Sequence, residues 1–226
     1  MDYKYIKTAE DEYKHSLSEL TAKSDVTKTL TKSYNRFDQI IAKSINESEV
    51  KPACRSGCSF CCYYKVDVRA HEIFAIKEYI DKYFDREKID GILADANKNA
   101  EKIRTLTYDE HMATNIKCPF LIDNACSVYP VRPFKCRNFH AIDVEGCEKS
   151  YIEPTNLSIP TTLIESVSLY GTAHSDGFEG AIERAGYDNR AYDLNTALIE
   201  AYDEPSSLKR FRKRKRSFVK AVMVLE

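Results

Sequence analysis

The chain has 226 residues, of which 43% are hydrophobic and 31% are charged, a composition that supports a sizeable core and argues against wholesale disorder. The length fits one elaborated domain or two small ones. No apolar run approaches the ~18 residues of a membrane span, and the charged N-terminal stretch shows no signal peptide, so we expect a cytoplasmic protein without a membrane partner. The chain contains no Gly-rich phosphate-binding string, which argues against Rossmann and P-loop enzymes.

The N-terminal part of the chain predicts helices. Residues 1–51 contain neither glycine nor proline, and apolar residues from Leu30 to Ile45 recur at spacings of three and four residues. This pattern indicates one long helix or two shorter ones, ending near Ser48. In chain order, the next predicted elements are a short extended stretch at 63–68, a helix at 70–84, and a helix at 86–114 that contains Gly91.

The middle and the C-terminal part of the chain differ in character. Prolines and a glycine between Cys118 and Cys147 predict loops with little regular structure. Amphipathic helices are predicted at 161–174 and 190–203, with a break between them from Gly171 to Gly186, and a last basic helix is predicted from Pro205 onward. The sequence therefore predicts a mainly α fold in three parts: an N-terminal helical segment (1–50), an irregular cysteine-cluster metal domain (51–150) and a C-terminal helical segment with the basic helix (151–226).

The eight cysteines all lie in the middle part. In a reducing cytoplasm, clustered cysteines indicate metal binding or catalysis more than disulfides. Thiolates suit Zn²⁺ and iron–sulfur clusters, and eight of them suffice for two four-ligand sites or for one cluster with spare or catalytic cysteines. An iron–sulfur cluster is favoured because the thiols exceed one set of four and no paired CxxC zinc-finger spacing occurs. The candidate metal ligands are Cys54, Cys58, Cys61, Cys62, Cys118, Cys126, Cys136 and Cys147.

Several residues near the cysteines have open roles. Cys62 is expected to point away from Cys61, and it could serve a second metal or reach the same site through an unusual turn. His140 is interpreted as a partly buried loop histidine, with metal ligation as the alternative, and Glu72 is interpreted as a favourable residue at a helix N-terminus. Cations that could offset the charge of a thiolate site are Arg55, Lys65, Arg69, Arg132, Lys135 and Arg137.

The cysteine pattern resembles a known family. The string Cys54-x3-Cys58-x2-Cys61-Cys62 is followed by CPFL from Cys118, CSVY from Cys126 and RPxxCR around Cys136. Together these strings resemble the CxxCxxCC family of zinc- or iron-chelating domains, also called YkgJ-like cysteine cluster proteins, over about residues 51–150. The gap before Cys58 is three residues here, against the two more usual in the family.

The resemblance implies a cysteine-bound metal, either an iron–sulfur cluster, with [4Fe–4S] as the expected type, or zinc. The ligands that carry over are Cys58, Cys61, Cys62, Cys118, Cys126 and Cys136. A flagellin lysine N-methylase is among the family's relatives, which implies that an enzyme modifying a protein, a peptide or a small molecule is conceivable. The catalytic residues and the reaction stay unassigned.

Two alternatives come from other motifs. Cys54-x3-Cys58-x2-Cys61 also fits the radical SAM signature, although the usual host of that motif is a Gly-rich partial α/β barrel. Residues 209–216 carry seven cations in eight positions, and without them the chain has a net charge of −8. We interpret this run as a helix that docks an apolar face through Phe211 and Phe218. The alternative is a zinc-stapled interaction module that binds nucleic acid or an acidic partner through the run.

Overall fold

A computed structural model describes residues 2–21, 25–55 and 57–224. The described chain is mainly α, as predicted. Its α-helices are α1 (Tyr3–Thr21), α2 (Val26–Glu47), α3 (Ala70–Tyr83), α4 (Arg86–Ile103), α5 (Tyr108–Met112), α6 (Phe134–Arg137), α7 (Val144–Ile152), α8 (Glu165–Arg184), α9 (Leu194–Asp203) and α10 (Ser206–Arg212). Two small antiparallel sheets pair β1 (Asp67–Arg69) with β4 (Ala191–Asp193) and β2 (Leu121–Ile122) with β3 (Ala125–Cys126).

Helices α1, α2 and α8 form one side of the fold. The N-terminal part contains two helices, the second of which ends at Glu47, next to the predicted end. Asp25 caps α2 by accepting a hydrogen bond from the Thr27 amide at 2.9 Å. The apolar face of α2 is buried in the core that all the large helices share, and α1 and α2 both pack against α8.

Helix α8 runs through the glycines that were predicted to interrupt it, so the predicted break from Gly171 to Gly186 is wrong. The helix ends only at Arg184, before Gly186 with its φ of +82°. Gly177 is needed for packing, because a Cβ at this position would lie 2.2 Å from the Ala9 carbonyl oxygen of α1. These glycines therefore allow close helix contact, and the entropic cost they impose on the helix is offset by packing.

A buried polar network joins α1, α2 and α8. The Arg36 guanidinium donates to both oxygens of the Glu12 carboxylate at 2.7 Å, and Glu12 is 3% exposed. His174 Nε2 lies 3.0 Å from the Ser33 hydroxyl oxygen and 3.5 Å from Glu12 Oε2. Burial of the ring lowers the pKa of His174 to about 4, so the histidine is neutral at pH 7.

The other side of the fold contains α3, α4 and α9. The predicted helix at 70–84 is confirmed as α3, and it begins where β1 ends. The single predicted helix at 86–114 is wrong, because the chain turns after Ile103 and starts α5 with a capping box between Thr107 and Glu110. Gly91 stays inside α4, in open space. Residues 191–193, predicted as helix, form β4 against β1 before α9 begins.

The C-terminal basic segment is not the long helix that the sequence predicts. Helix α10 has only seven residues and ends at Arg212, and Arg214 takes a φ of 58°. The predicted docking of Phe211 and Phe218 is confirmed, because both rings are buried and lie 5.3 Å from the ring of Phe74. Within the described residues, no helix has the length and apolarity that crossing a membrane requires.

Candidate metal centre

A tight turn presents the first four cysteines. The Cys58 amide donates to the Arg55 carbonyl at 3.0 Å, and the intervening Gly57 has a φ of +85°, a conformation that favours glycine. Residues 60–63 then form a single 3₁₀ turn. This turn places the thiols of Cys61 and Cys62 near enough to interact electrostatically, although adjacent side chains were expected to point apart.

Backbone hydrogen bonds bring the later cysteines onto that turn. The Cys118 amide donates to the Cys62 carbonyl at 2.8 Å, so the two residues are neighbours in space despite 55 intervening residues. The β2–β3 hairpin then pairs Leu121 with Cys126, and its two turn residues, Asp123 and Asn124, both have positive φ. The predicted lack of regular structure between Cys118 and Cys147 is therefore only partly right, because this segment also contains α6, which carries Cys136, and the start of α7, which carries Cys147.

Four thiols form what we call the inner group: Cys62, Cys118, Cys126 and Cys136. Each interacts electrostatically with others of the set. Burial is the largest cause that raises the pKa of Cys136, to about 12, and the neighbouring thiols Cys126 and Cys62 raise it further. Burial and the same neighbours hold the pKa of Cys118 well above its usual value. In the absence of metal, the thiols of Cys118 and Cys136 are therefore protonated at pH 7.

The remaining cysteines form an outer group: Cys54, Cys58, Cys61 and Cys147. Burial, followed by the neighbouring thiols of Cys54 and Cys58, raises the pKa of Cys147 to about 11. Cys54 is exposed, and its sulfur lies 3.8 Å from the Ala141 carbonyl oxygen. Cys61 lies between the groups, since it interacts with Cys62 and Cys136 as well as with Cys54. Its thiol lowers the pKa of Cys62, because the S–H of Cys61 stabilises the Cys62 thiolate.

Two of the predicted cations face the inner group. The positive charges of Arg132 and Arg137 oppose the burial-driven rise in the pKa of Cys126, and the charge of Arg132 does the same for Cys136. In each case the cation favours the thiolate. Arg137 is buried, donates to the Asp38 carboxylate at 2.8 Å, and lies over the Tyr34 ring at 4.0 Å from its centroid. It thereby fixes α6 against α2.

The other predicted cations are engaged elsewhere or give no thiol contact. Lys65 and Lys135 pair with Asp67, and Arg69 pairs with Glu179. The side chain of Arg55 lines a small surface pocket beside Cys58. His140 is a partly buried loop residue, and burial lowers its pKa.

Sequence reasoning missed the structural role of Glu72. Its Oε2 accepts from the Arg69 amide and its Oε1 accepts from the Phe134 amide, both at 2.9 Å. One carboxylate therefore caps α3 and holds the start of α6, the helix that carries Cys136. Burial raises the pKa of Glu72 to about 7. The place of Glu72 at a helix N-terminus is visible in the sequence, but the contact with residue 134, 62 residues away, leaves no local signal.

Beside α6 lies an open cleft of about 500 Å³. Glu72, Phe134 and Lys135 line the cleft, together with Thr172 and Glu179 of α8. The cleft therefore borders the same short helix that carries Cys136.

The chemistry of the donors fits a thiophilic metal, since all eight cysteines are free thiols. No set of three or more His, Cys, Asp or Glu side chains in the described part of the chain has the arrangement that one metal ion requires. The structure thus gathers soft donors without placing them in ligand geometry.

Comparison with known protein families finds one matching family model. Residues 53–158 match the family model CxxCxxCC, described as "Putative zinc- or iron-chelating domain". Over these residues the chain is similar to the CxxCxxCC domain. The resemblance found over about residues 51–150 is confirmed, and the match extends through α7 to the chain just before α8. No curated protein and no solved structure matches the chain.

Proposed function

We propose that the chain is a cytoplasmic metal-binding protein whose CxxCxxCC domain holds an iron–sulfur cluster through the inner group. The observation that carries the proposal is the convergence of Cys62, Cys118, Cys126 and Cys136 from three separated chain segments. Four soft donors suit a thiolate-ligated centre, and the guanidinium groups of Arg132 and Arg137 favour the thiolate form of Cys126. Free thiols throughout agree with a reducing compartment.

The outer group supplies a second set of ligands in this proposal. Cys54 is exposed and Cys58 borders a surface pocket, so exogenous molecules reach these two thiols, whereas Cys147 of the same group is buried. Zinc in both groups is the alternative composition. The CxxCxxCC family description names zinc or iron and no reaction, so an enzymatic role at the cleft remains a candidate that rests only on its position beside α6.

The first experiment measures metal, sulfide and the visible spectrum of the full chain purified without oxygen. We expect iron, sulfide and a reducible absorption band near ~400 nm. Colourless protein with zinc would replace the iron–sulfur proposal by a structural zinc centre. Protein with neither metal would overturn metal binding through these thiols.

Two matched variants test the grouping. Cys136→Ser removes an inner ligand and should lose the metal of the inner group, whereas Cys54→Ser should keep it. Thiol alkylation of the loaded wild-type protein, read by mass spectrometry, should label Cys54 and leave the inner group protected. Equal metal content in the two variants, together with equal labelling of all eight cysteines, would contradict the division into two groups.

A further inference from the structure

The basic segment at 209–216 presents its cations in two ways. Arg210 and Arg216 turn inward, where Arg210 donates to the Glu200 carboxylate at 2.9 Å and Arg216 to the Phe218 carbonyl at 2.7 Å. The other five cations are exposed, and none of them makes an ion pair in the part of the chain that the structure describes. We call these five the basic turn: Lys209, Arg212, Lys213, Arg214 and Lys215.

Buried carboxylates hold the basic turn in place. The Glu200 carboxylate accepts three successive backbone amides, those of Val219, Lys220 and Ala221, at 2.7 to 2.8 Å. The Asp188 carboxylate accepts the Ser217 amide at 2.6 Å. The chain after the turn is therefore fixed from residue 217 to residue 221, and a ligand of the turn meets cations whose backbone is already ordered.

The backbone of the turn itself is unusual. Arg214 adopts a φ of 58°, a conformation rare for a residue with a long side chain. Its guanidinium lies 5.5 Å from the centroid of the Tyr187 ring. The left-handed residue reverses the chain so that Arg212, Lys213 and Lys215 stay in solvent instead of continuing a helix.

Charge decides the class of partner. The rest of the chain has 27 basic and 35 acidic residues. It therefore carries a net charge of −8 and repels polyanions. The cores of protein interfaces are depleted of lysine and centre on apolar side chains, whereas positions 212–215 contain two lysines and no apolar residue. Arg binds phosphate through a planar fork and Lys as a point charge. We infer that the basic turn binds the phosphate backbone of nucleic acid without reading its sequence.

The number of exposed cations sets the expected salt dependence. Five phosphate contacts give a slope of log K against log salt of about −4.5 on duplex DNA and about −3.5 on a single strand. Raising salt from about 50 to about 200 mM should therefore weaken duplex binding about 500-fold. The slope distinguishes duplex from single-stranded nucleic acid as the source of the phosphates.

The test measures fluorescence anisotropy of a labelled duplex of about 20 base pairs, with single-stranded RNA and polyglutamate as further probes, on the full chain as purified. The variant Lys213→Gln, Arg214→Asn, Lys215→Gln keeps a residue tolerant of positive φ at 214. It should reduce the duplex slope to about −1.8, so that the same salt step weakens binding only about 12-fold.

The matched control removes three exposed cations at the C-terminal end of α4, Lys98→Gln, Lys102→Gln and Arg104→Gln, and should leave the slope unchanged. Equal slopes in the two triple variants would overturn the inference, as would salt-independent binding or tighter binding of polyglutamate than of nucleic acid. The result does not depend on the metal proposal, because the turn lies outside residues 53–158.

Discussion

Glu200 provides the sharpest test of how the C-terminal segment is held. Its carboxylate is 3% exposed and accepts four hydrogen bonds. Oε1 accepts from Arg210 at 2.9 Å and from the Val219 amide at 2.7 Å, and Oε2 accepts from the Lys220 and Ala221 amides at 2.7 and 2.8 Å. The substitution Glu200→Gln keeps the shape of the side chain and one of its two acceptor oxygens.

The expected cost follows from the oxygen that is replaced. The amide nitrogen of glutamine carries hydrogens, so two backbone amides would face a donor in a buried site. Each unsatisfied buried donor costs about 1–3 kcal/mol, so for two of them we expect a loss of about 2–6 kcal/mol in the free energy of unfolding. For a chain of this size, that corresponds to a fall in Tm of roughly 4–24 °C.

The matched control is Glu204→Gln. Glu204 lies four residues after Glu200 and pairs with Lys220 at the surface, where solvent and salt screen the ion pair, so this substitution should leave Tm nearly unchanged. Thermal unfolding of both metal-loaded variants, followed by circular dichroism, gives the comparison. Hydrogen exchange should also be faster at the amides of residues 219–221 in Glu200→Gln alone. Equal Tm values for the two variants would refute the role of the buried carboxylate.

Three further predictions concern other parts of the fold. Gly177→Ala should lower the free energy of unfolding by about 1–3 kcal/mol, because its methyl group meets the backbone of α1. Gly91→Ala, in open space within α4, should raise it by about 0.5–1 kcal/mol. Urea unfolding measures both values, and the opposite order would contradict the packing argument. The folded pKa of His174 is about 4, below the unfolded value of 6.5, so its contribution to stability is present above pH 6.5 and is lost as the pH falls toward 4, by at most about 3 kcal/mol. His174→Gln should therefore flatten the fall in stability between pH 7 and pH 5, and an unchanged slope would count against a buried neutral histidine. Chelation of the loaded protein should speed hydrogen exchange at the Cys118 amide more than in α8, and equal protection at both sites would argue against a metal that organises the domain.

Local patterns predicted much of the helical frame. The three- and four-residue spacing in α2 and α3 gave both helices, because their apolar faces alone bury enough surface. The predicted helix at 161–174 covers the first half of α8, but the second half escaped prediction because the glycines of α8 make contacts that exist only once α1 and the loop at Asn138 are in place. The end of α10 depends on carboxylates from α9 and from the loop before β4, which no local pattern contains.

The cysteine site, like the helical frame, could be predicted from the sequence only in part. Composition and spacing identified the eight thiols and their family, but not how they group. The neighbours Cys62 and Cys118 meet through a backbone hydrogen bond across 55 residues, and the interaction between Cys61 and Cys62 depends on a 3₁₀ turn. Such non-local pairings decide which thiols share a group, and they leave no trace in the sequence.

The packing of α1 and α2 on α8 has a consequence for how the chain folds. Residues 48–164 separate α2 from α8 in the sequence. The two ends of this segment must meet before α8 can pack against α1 and α2, and closing the segment has an entropy cost that grows with its length. A metal bound by thiols between Cys54 and Cys147 would cross-link most of that segment. Only about a fifth of its residues would then still have to be closed. The closure entropy would fall by about 1.4 kcal/mol. Metal capture during synthesis would thus speed the assembly of helices that never touch the metal.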